Sequence, residues 1–280
     1  MEHVLVTGAQ GMLGSALVEE LASHCTVTCV DIGEFDITDA ELSSDAIRSA
    51  SPAVVINCAA YTNVDGAEGD AARAHAVNAV GAGNVARAAA AAGAKIVQIS
   101  TDYVFDGSKT GPYEINDEPA PLNVYGASKL AGERAVIESG APWLIVRTSW
   151  LYGHQGPNFV ETIIRAATER GALEVVDDQL GAPTNARDLS SVLRELVDGH
   201  VEGIVHATNS GSTTWFGFAR AILGAAGMAD VTIDPVGSEA FPRPAARPRN
   251  SVLSLARLRE LTGWEPRPWL AAVQEYIAER

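Results

Sequence analysis

The sequence predicts an α/β protein built on a doubly wound parallel sheet covered by helices on both faces. Three observations predict it. Short β-branched runs alternate with longer stretches of helical period through the first half of the chain, those runs are continuously apolar, and the first of them leads directly into a glycine-rich turn. Strands that are apolar throughout bury both faces, which a sheet sandwiched between helices requires. Right-handed crossovers between successive parallel strands then wind the sheet in two directions.

Strands are expected over 4–7, 26–31, 53–57, 95–100 and 143–148, with helices over 12–23, 39–50, 79–92 and 124–139 between them. The alanine-rich run within 79–92 reads as plain helix propensity. Beyond about residue 150 the alternation loosens into a helix over 159–170, a strand over 173–176, a helix over 186–197, a strand over 203–207 and a helix over 213–226. Four prolines and three arginines between Pro235 and Asn250 read as an ordered loop. The expected organisation is one unit over 1–153 plus about 186–207, and a smaller, discontinuous lobe from 154–185 and about 208–265.

The chain has 280 residues, 47% hydrophobic and 20% charged, with 20 Lys plus Arg against 35 Asp plus Glu, a formal net charge of −15. Disorder and fibrous classes are excluded, and the acidic balance argues against nucleic acid or an anionic membrane as main partner. The longest apolar tract, around Val85 to Ala94, is interrupted by Arg87 and Gly93, so no membrane span is expected. The chain starts directly on a strand, with no basic leader, and a cytoplasmic location is expected. Cys25, Cys29 and Cys58 lie in or beside strands and read as buried reduced thiols. The six histidines show no ligand spacing, and no metal site is read from the sequence.

The turn Gly8-Ala9-Gln10-Gly11-Met12-Leu13-Gly14 joins the first strand to the first helix. Glycine suits a chain that must reverse sharply, bring backbone N–H groups against a diphosphate and pack the helix onto the strand. The spacing is GxxGxxG, and its position after the first strand makes it a dinucleotide turn in a Rossmann-type sheet. Asp31 ends the second strand, 23 residues after Gly8, where a carboxylate accepts from an adenosine ribose. No Lys or Arg occurs before Arg48, so NADH is favoured over NADPH unless a cation arrives from elsewhere in the fold.

Tyr125 and Lys129 stand four residues apart at the start of a helix, on one face. With six tyrosines and three lysines in the chain, the expected number of such pairs by chance is roughly 0.06. A free phenol has a pKa of about 10, and a neighbouring positive charge is expected to lower it, making Tyr125 a proton donor. Thr101 ends the fourth strand, where side chains face the ligand crevice, and can bond a substrate carbonyl or the Tyr125 hydroxyl.

Together with AAYTNVD at 59–65, STDYVFDG at 100–107, RTSWLYG at 147–153, Asn158-Phe159, Asp178–Thr184 and RPRNS at 247–251, these motifs resemble the extended short-chain dehydrogenase/reductases. Within them the ordered set is similar to the dTDP-4-dehydrorhamnose reductases over nearly the whole chain. The resemblance implies reduction of the C4 ketone of a dTDP-sugar by NAD(P)H, with Thr101, Tyr125 and Lys129 as catalytic set. It implies a cofactor lining of Gly8, Gly11, Met12, Leu13, Asp31, Asp36, Ile37, Ala59, Ala60 and Tyr61. Toward the sugar nucleotide it implies Thr101, Tyr125, Trp150, Asn158, Gln179, Pro183, Arg247 and Asn250, with Arg243, Arg247 and Arg249 grouped for the diphosphate. Some members hold Mg²⁺ at a homodimer contact through glutamates with no aligned counterpart here, so metal and dimer stay open. Reduction of another dTDP-deoxysugar, sugar-nucleotide epimerisation, and a non-catalytic dinucleotide-binding subunit are the competing readings.

Overall fold

In a computed structural model describing residues 3–280, six strands form the central sheet. They are β1 (His3–Thr7), β2 (Thr26–Val30), β3 (Val54–Asn57), β4 (Lys95–Thr101), β5 (Trp143–Thr148) and β6 (Gly203–His206), in the order β6-β5-β4-β3-β1-β2. Every pairing is parallel, with Val4 opposite Val27 on one side and Val54 on the other. The chain leaves β1 outward to β2 and then crosses back to β3. Strand order therefore reverses between β1 and β3, and a crevice opens beyond their carboxyl ends.

Alternation along each strand divides the apolar residues between two cores. Val4, Val6, Ile56, Val97, Leu144 and Val146 meet Leu13, Leu17 and Leu21 of the helix Met12–Leu21 and Leu189, Leu193 and Leu196 of the helix Ala186–Asp198. Leu5, Val55, Ile96 and Ile145 face the other way, against Ile47, Val85, Ala86 and Ala89. Each such buried aliphatic side chain contributes about 1.5–3 kcal/mol, so the two faces require the uninterrupted apolar strands seen in the sequence. A third core, with Tyr152, Val160, Ile163, Phe218, Ile222, Val273 and Tyr276, joins the helices Phe159–Arg170, Trp215–Ala225 and Trp269–Ala278.

Several elements differ from the sequence expectation. The helix expected over 79–92 is Ala82–Ala91, preceded by a π-helical segment Ala76–Gly81 and two short helices, Val64–Gly69 and Ala71–His75, whose N-termini are capped by Asn63 and Asp70. Pro235 lies within a strand, Thr232–Val236, which pairs in parallel with Ala172–Val176. The strand has a single partner, and a missing N–H is tolerated at such an edge. The third core extends past the expected limit near 265 into Trp269–Ala278. Cys29 is exposed, because β2 is the edge strand, and Cys25 and Cys58 are half-buried; all three are free thiols. Among the described residues no helix is long and apolar enough to cross a membrane.

Candidate active site

The crevice beyond β1, β3, β4 and β5 is a cleft of about 760 Å³, lined from Gly8 and Asp31 at one end to Thr101, Tyr125, Lys129 and Trp150 at the other. Gly8 has φ +65, and a Cβ there would stand 2.7 Å from the Ala59 backbone nitrogen, so the turns after β1 and β3 touch only because residue 8 is glycine. A Cβ on Gly14 would come 2.1 Å from the Gly8 carbonyl oxygen. Gly11 is the N-cap of Met12–Leu21 and has no side chain to satisfy the first amides. Those N–H groups and the positive end of the helix are open to an anion.

At the nucleoside end, the Asp31 carboxylate accepts from the Gln10 and Ile32 amides at 2.8 Å each, which orients it at the rim. Asp36 and Ile37 line the same region. The Thr38 amide and hydroxyl hold the Asp36 carboxyl below the usual carboxylate range, with a smaller contribution from Arg73. Arg73 comes from Ala71–His75, lies 4.0 Å from Asp36 and lines the cleft. The cation missing from the first 47 residues is thus supplied across the fold, and the expectation of NADH over NADPH loses its electrostatic ground. Asn78, buried in the π-helical segment, clamps the floor: its amide exchanges hydrogen bonds with the Tyr61 backbone and donates to Ser128 Oγ. The loop Ala59-Ala60-Tyr61 is thereby tied to the helix Val124–Ile137 that carries Tyr125.

That helix starts at Asn123, whose side chain accepts from the Gly126 amide. A Cβ on Gly126 would lie 2.1 Å from the Tyr103 carbonyl oxygen, so the glycine lets the helix press onto the turn Asp102–Val104 that follows Thr101. Lys129 is 5% exposed, and its Nζ donates to the Ile99 carbonyl at 2.7 Å. Burial draws it down to about 8, against the Glu133 charge that favours the ammonium. Tyr125 is also moved by burial, up to about 12, with the Thr101 hydroxyl opposing and Asp102 reinforcing. The sequence leads to the expectation of an acidified phenol; here burial moves Tyr125 the other way, and the Lys129 ammonium is engaged by the Ile99 carbonyl. Behind Lys129, Glu133 accepts from Arg147 Nε at 2.9 Å and Nη2 at 2.7 Å and from Ser100 Oγ at 2.5 Å. Both charged side chains are 2% exposed. Cys58 lines the cleft as an inert thiol, pushed up to about 12 by burial.

With this geometry the comparisons with known proteins agree. A model of the RmlD substrate binding domain matches residues 1–280. The chain belongs to that family. A dTDP-4-dehydrorhamnose reductase of Mycolicibacterium smegmatis is 46% identical, over 99% of this chain and 85% of its own length. One from Burkholderia thailandensis is 43% identical over 96% of each chain. The crystal structure of dTDP-4-dehydrorhamnose reductase from Bacillus anthracis in complex with NADP superposes with a TM-score of 0.97 at 42% identity, covering 100% of this chain and 99% of that one.

Within this RmlD-family chain, Gly8, Gly11, Met12, Leu13, Asp31, Asp36, Ile37, Ala59, Ala60, Tyr61, Thr101, Tyr125, Lys129 and Trp150 line the one cleft. Trp150 has φ +46, lies flat on Trp215 with ring centroids 3.5 Å apart, and blocks any side chain at position 181. Five residues expected at the sugar nucleotide do not line the cleft. Asn158 caps Phe159–Arg170 through the Glu161 amide and donates to the Gly153 carbonyl. Gln179 accepts from Trp215 Nε1 at 3.2 Å, behind the stacked indoles. Pro183 is buried between Ala182 and Thr184. Asn250 donates to the Lys109 and Gly111 carbonyls. Arg247 is taken up by Asp65, at 2.5 and 3.0 Å, with Arg243 3.7 Å from the same carboxylate. Among the described residues no group of three His, Cys, Asp or Glu side chains is disposed to hold a metal ion.

Sequence reasoning passed over Arg73, Asn78, Asp102, Glu133 and Arg147. Glu133 carried a readable signal, since it stands one turn beyond Lys129 on the same face.

Proposed function

We propose that the chain reduces the C4 ketone of dTDP-4-dehydro-L-rhamnose to dTDP-L-rhamnose, using NADPH or NADH. The relatives from Mycolicibacterium smegmatis and Burkholderia thailandensis bear the name of that activity, and the structural neighbour from Bacillus anthracis holds NADP. The observation that carries the reading is the convergence of Thr101, Tyr125 and Lys129 in one cleft with the Gly8–Gly14 turn.

When bound, the reduced nicotinamide supplies the hydride that adds to C4. The chain's own task is to meet the charge that develops on the C4 oxygen. Tyr125, pushed up to about 12, keeps its proton at neutral pH and is already the acid that reduction needs. Its high pKa delays transfer until the oxygen has gained alkoxide character. A hydroxyl hydrogen bond from Thr101 strengthens at the same moment, so it stabilises the transition state more than the bound ketone. Lys129, charged below about 8, adds a buried positive charge to the same cleft. The diphosphates fall to backbone N–H groups at the start of Met12–Leu21 and to the cations of the cleft.

The test is to mix the protein with NADPH or NADH and dTDP-4-dehydrorhamnose, follow loss of nicotinamide absorbance, and identify the sugar. Tyr125→Phe is expected to retain cofactor binding and to lose at least about 100-fold in kcat. Near-normal turnover by this variant, or a product other than the rhamnose nucleotide, refutes the reading.

A further inference from the structure

Asp102 is a buried acid on the cleft that the mechanism above leaves idle. It is 2% exposed, Oδ1 accepts from Thr101 Oγ1 at 3.0 Å, and Oδ2 has no partner in hydrogen-bonding geometry. Desolvation favours the neutral form of such a carboxylate, and the nearby Ser251 hydroxyl opposes it only in part. Thr101 Oγ1 also accepts from the Tyr103 amide at 3.2 Å. A threonine hydroxyl has one proton and two lone pairs. While Asp102 is ionised, that single proton is spent on Oδ1, and Thr101 has none to offer a sugar oxygen.

We propose that Asp102 is a positioning residue that works in its protonated form: its carboxyl donates to Thr101 Oγ1 and turns the threonine proton toward Tyr125 and the C4 oxygen of the substrate. The Tyr103 amide and the Asp102 hydroxyl then fill both lone pairs of Thr101, and its proton points into the cleft. Ionisation of Asp102 reverses the bond and withdraws the donor. No atom is gained or lost by the sugar in this step; only the direction of a hydroxyl changes. The inference rests on the reading that Thr101 and Tyr125 serve the carbonyl.

The groups around Asp102 permit this titration. Burial pushes its carboxyl up to about 7, with the Ser251 and Thr101 hydroxyls and the Tyr103 amide opposing. Facing it are the phenols of Tyr125, from the helix Val124–Ile137, and of Tyr103, from its own turn. Lys129 and Glu133 lie further along that helix, and Arg247 of the proline-rich loop reaches Tyr103 rather than Asp102. Tyr125 and Tyr103 are both neutral through this range, so the charge that appears on raising the pH is that of Asp102.

The experiment is the pH profile of kcat, at saturating NADPH and dTDP-4-dehydrorhamnose, for the wild type, Asp102→Asn and Thr101→Val. The wild type is expected to lose activity in two steps, near neutrality with Asp102 and again near the titration of Lys129. Asn at 102 donates an N–H at every pH, so the ratio of kcat at pH 6 to kcat at pH 7.5 is expected to fall from several-fold to about one. Thr101→Val, which leaves no hydroxyl to steer, is expected to lose the first step as well, from a lower starting rate. A first step that survives in either variant overturns the proposal. Should Asp102→Asn not fold, Thr101→Val and infrared spectra of the wild type decide: a protonated carboxyl band in the cofactor-bound protein must bleach between pH 6 and 8, and its absence at pH 6 overturns the proposal. An active Tyr125→Phe variant signals instead that the underlying reading has failed.

Discussion

Glu133→Gln is the substitution whose consequences the structure specifies most fully. Gln has the shape of Glu, so no cavity opens, and what disappears is one negative charge among Arg147, Ser100 and Lys129. Arg147 is 2% exposed, already has Nη1 without a partner, and lies 5.2 Å over the Phe105 ring. Removing one member of a buried ion pair leaves the other uncompensated and costs about 3–5 kcal/mol. At roughly 2–4 °C per kcal/mol for a chain of this size, the melting temperature is expected to fall by about 10 °C. Thermal and urea denaturation of the cofactor-free protein measure this directly. A second effect separates this account from general damage. Glu133 favours the charged form of Lys129 against burial, so its neutralisation moves the alkaline limb of the kcat profile to lower pH. Replacing both partners with apolar residues, Glu133→Leu with Arg147→Met, is expected to recover much of the lost stability, because the Arg147 charge is then no longer stranded. A loss below about 1 kcal/mol in the single variant, or an unmoved alkaline limb, refutes the reasoning.

Two further substitutions test the nucleotide end. Gly14→Ala brings a Cβ to 2.1 Å from the Gly8 carbonyl, with backbone on both sides of the clash; calorimetric titration is expected to show NADPH binding weakened by at least about tenfold, and unchanged binding would mean the turn does not hold the diphosphate. Arg73→Ala removes the cation that arrives beside Asp36 at the nucleoside end; because Arg73 is half exposed, the expected loss is about 0.5–1 kcal/mol, read as a several-fold rise in the Kd for NADPH with that for NADH nearly constant. Equal effects on the two cofactors would exclude contact with a 2′-phosphate.

What was legible in the sequence was local. The Gly8–Gly14 turn, Asp31 and the Tyr125/Lys129 pair each announce themselves within a few residues, because a turn, a strand end or one helical turn determines their geometry. The inner strands were legible because they are buried on both faces, whereas the edge strand β2 has no fully buried residue. Arg73 was not, since its helix is short and its meaning depends on Asp36, 37 positions earlier in the chain. The Glu133–Arg147 pair joins a helix to β5, and no periodicity connects them. Asn78 sits in a π-helical segment among alanines, where sequence shows only helix propensity. Arg247 illustrates the converse: the sequence shows a basic, proline-rich loop, and only the fold shows that Asp65 lies against it.

The same point resolves the apparent conflict between a net charge of −15 and two anionic ligands. Arg147, Arg194, Arg247 and Arg267 are each engaged by a carboxylate of the chain itself, so much of the guanidinium charge is spent on internal structure. What remains at the cleft is Arg73, Lys129 and the helix N-terminus at Gly11, where backbone N–H groups carry no formal charge and need no counterion. Anion binding by backbone donors depends on close approach, which only glycine at 8, 11 and 14 allows. Affinity for the dinucleotide should therefore be limited by the geometry of this turn more than by the ionic balance of the protein. Raising the salt concentration is expected to weaken NADPH binding only a few-fold, whereas a single methyl group at position 14 costs more than any accessible ionic strength.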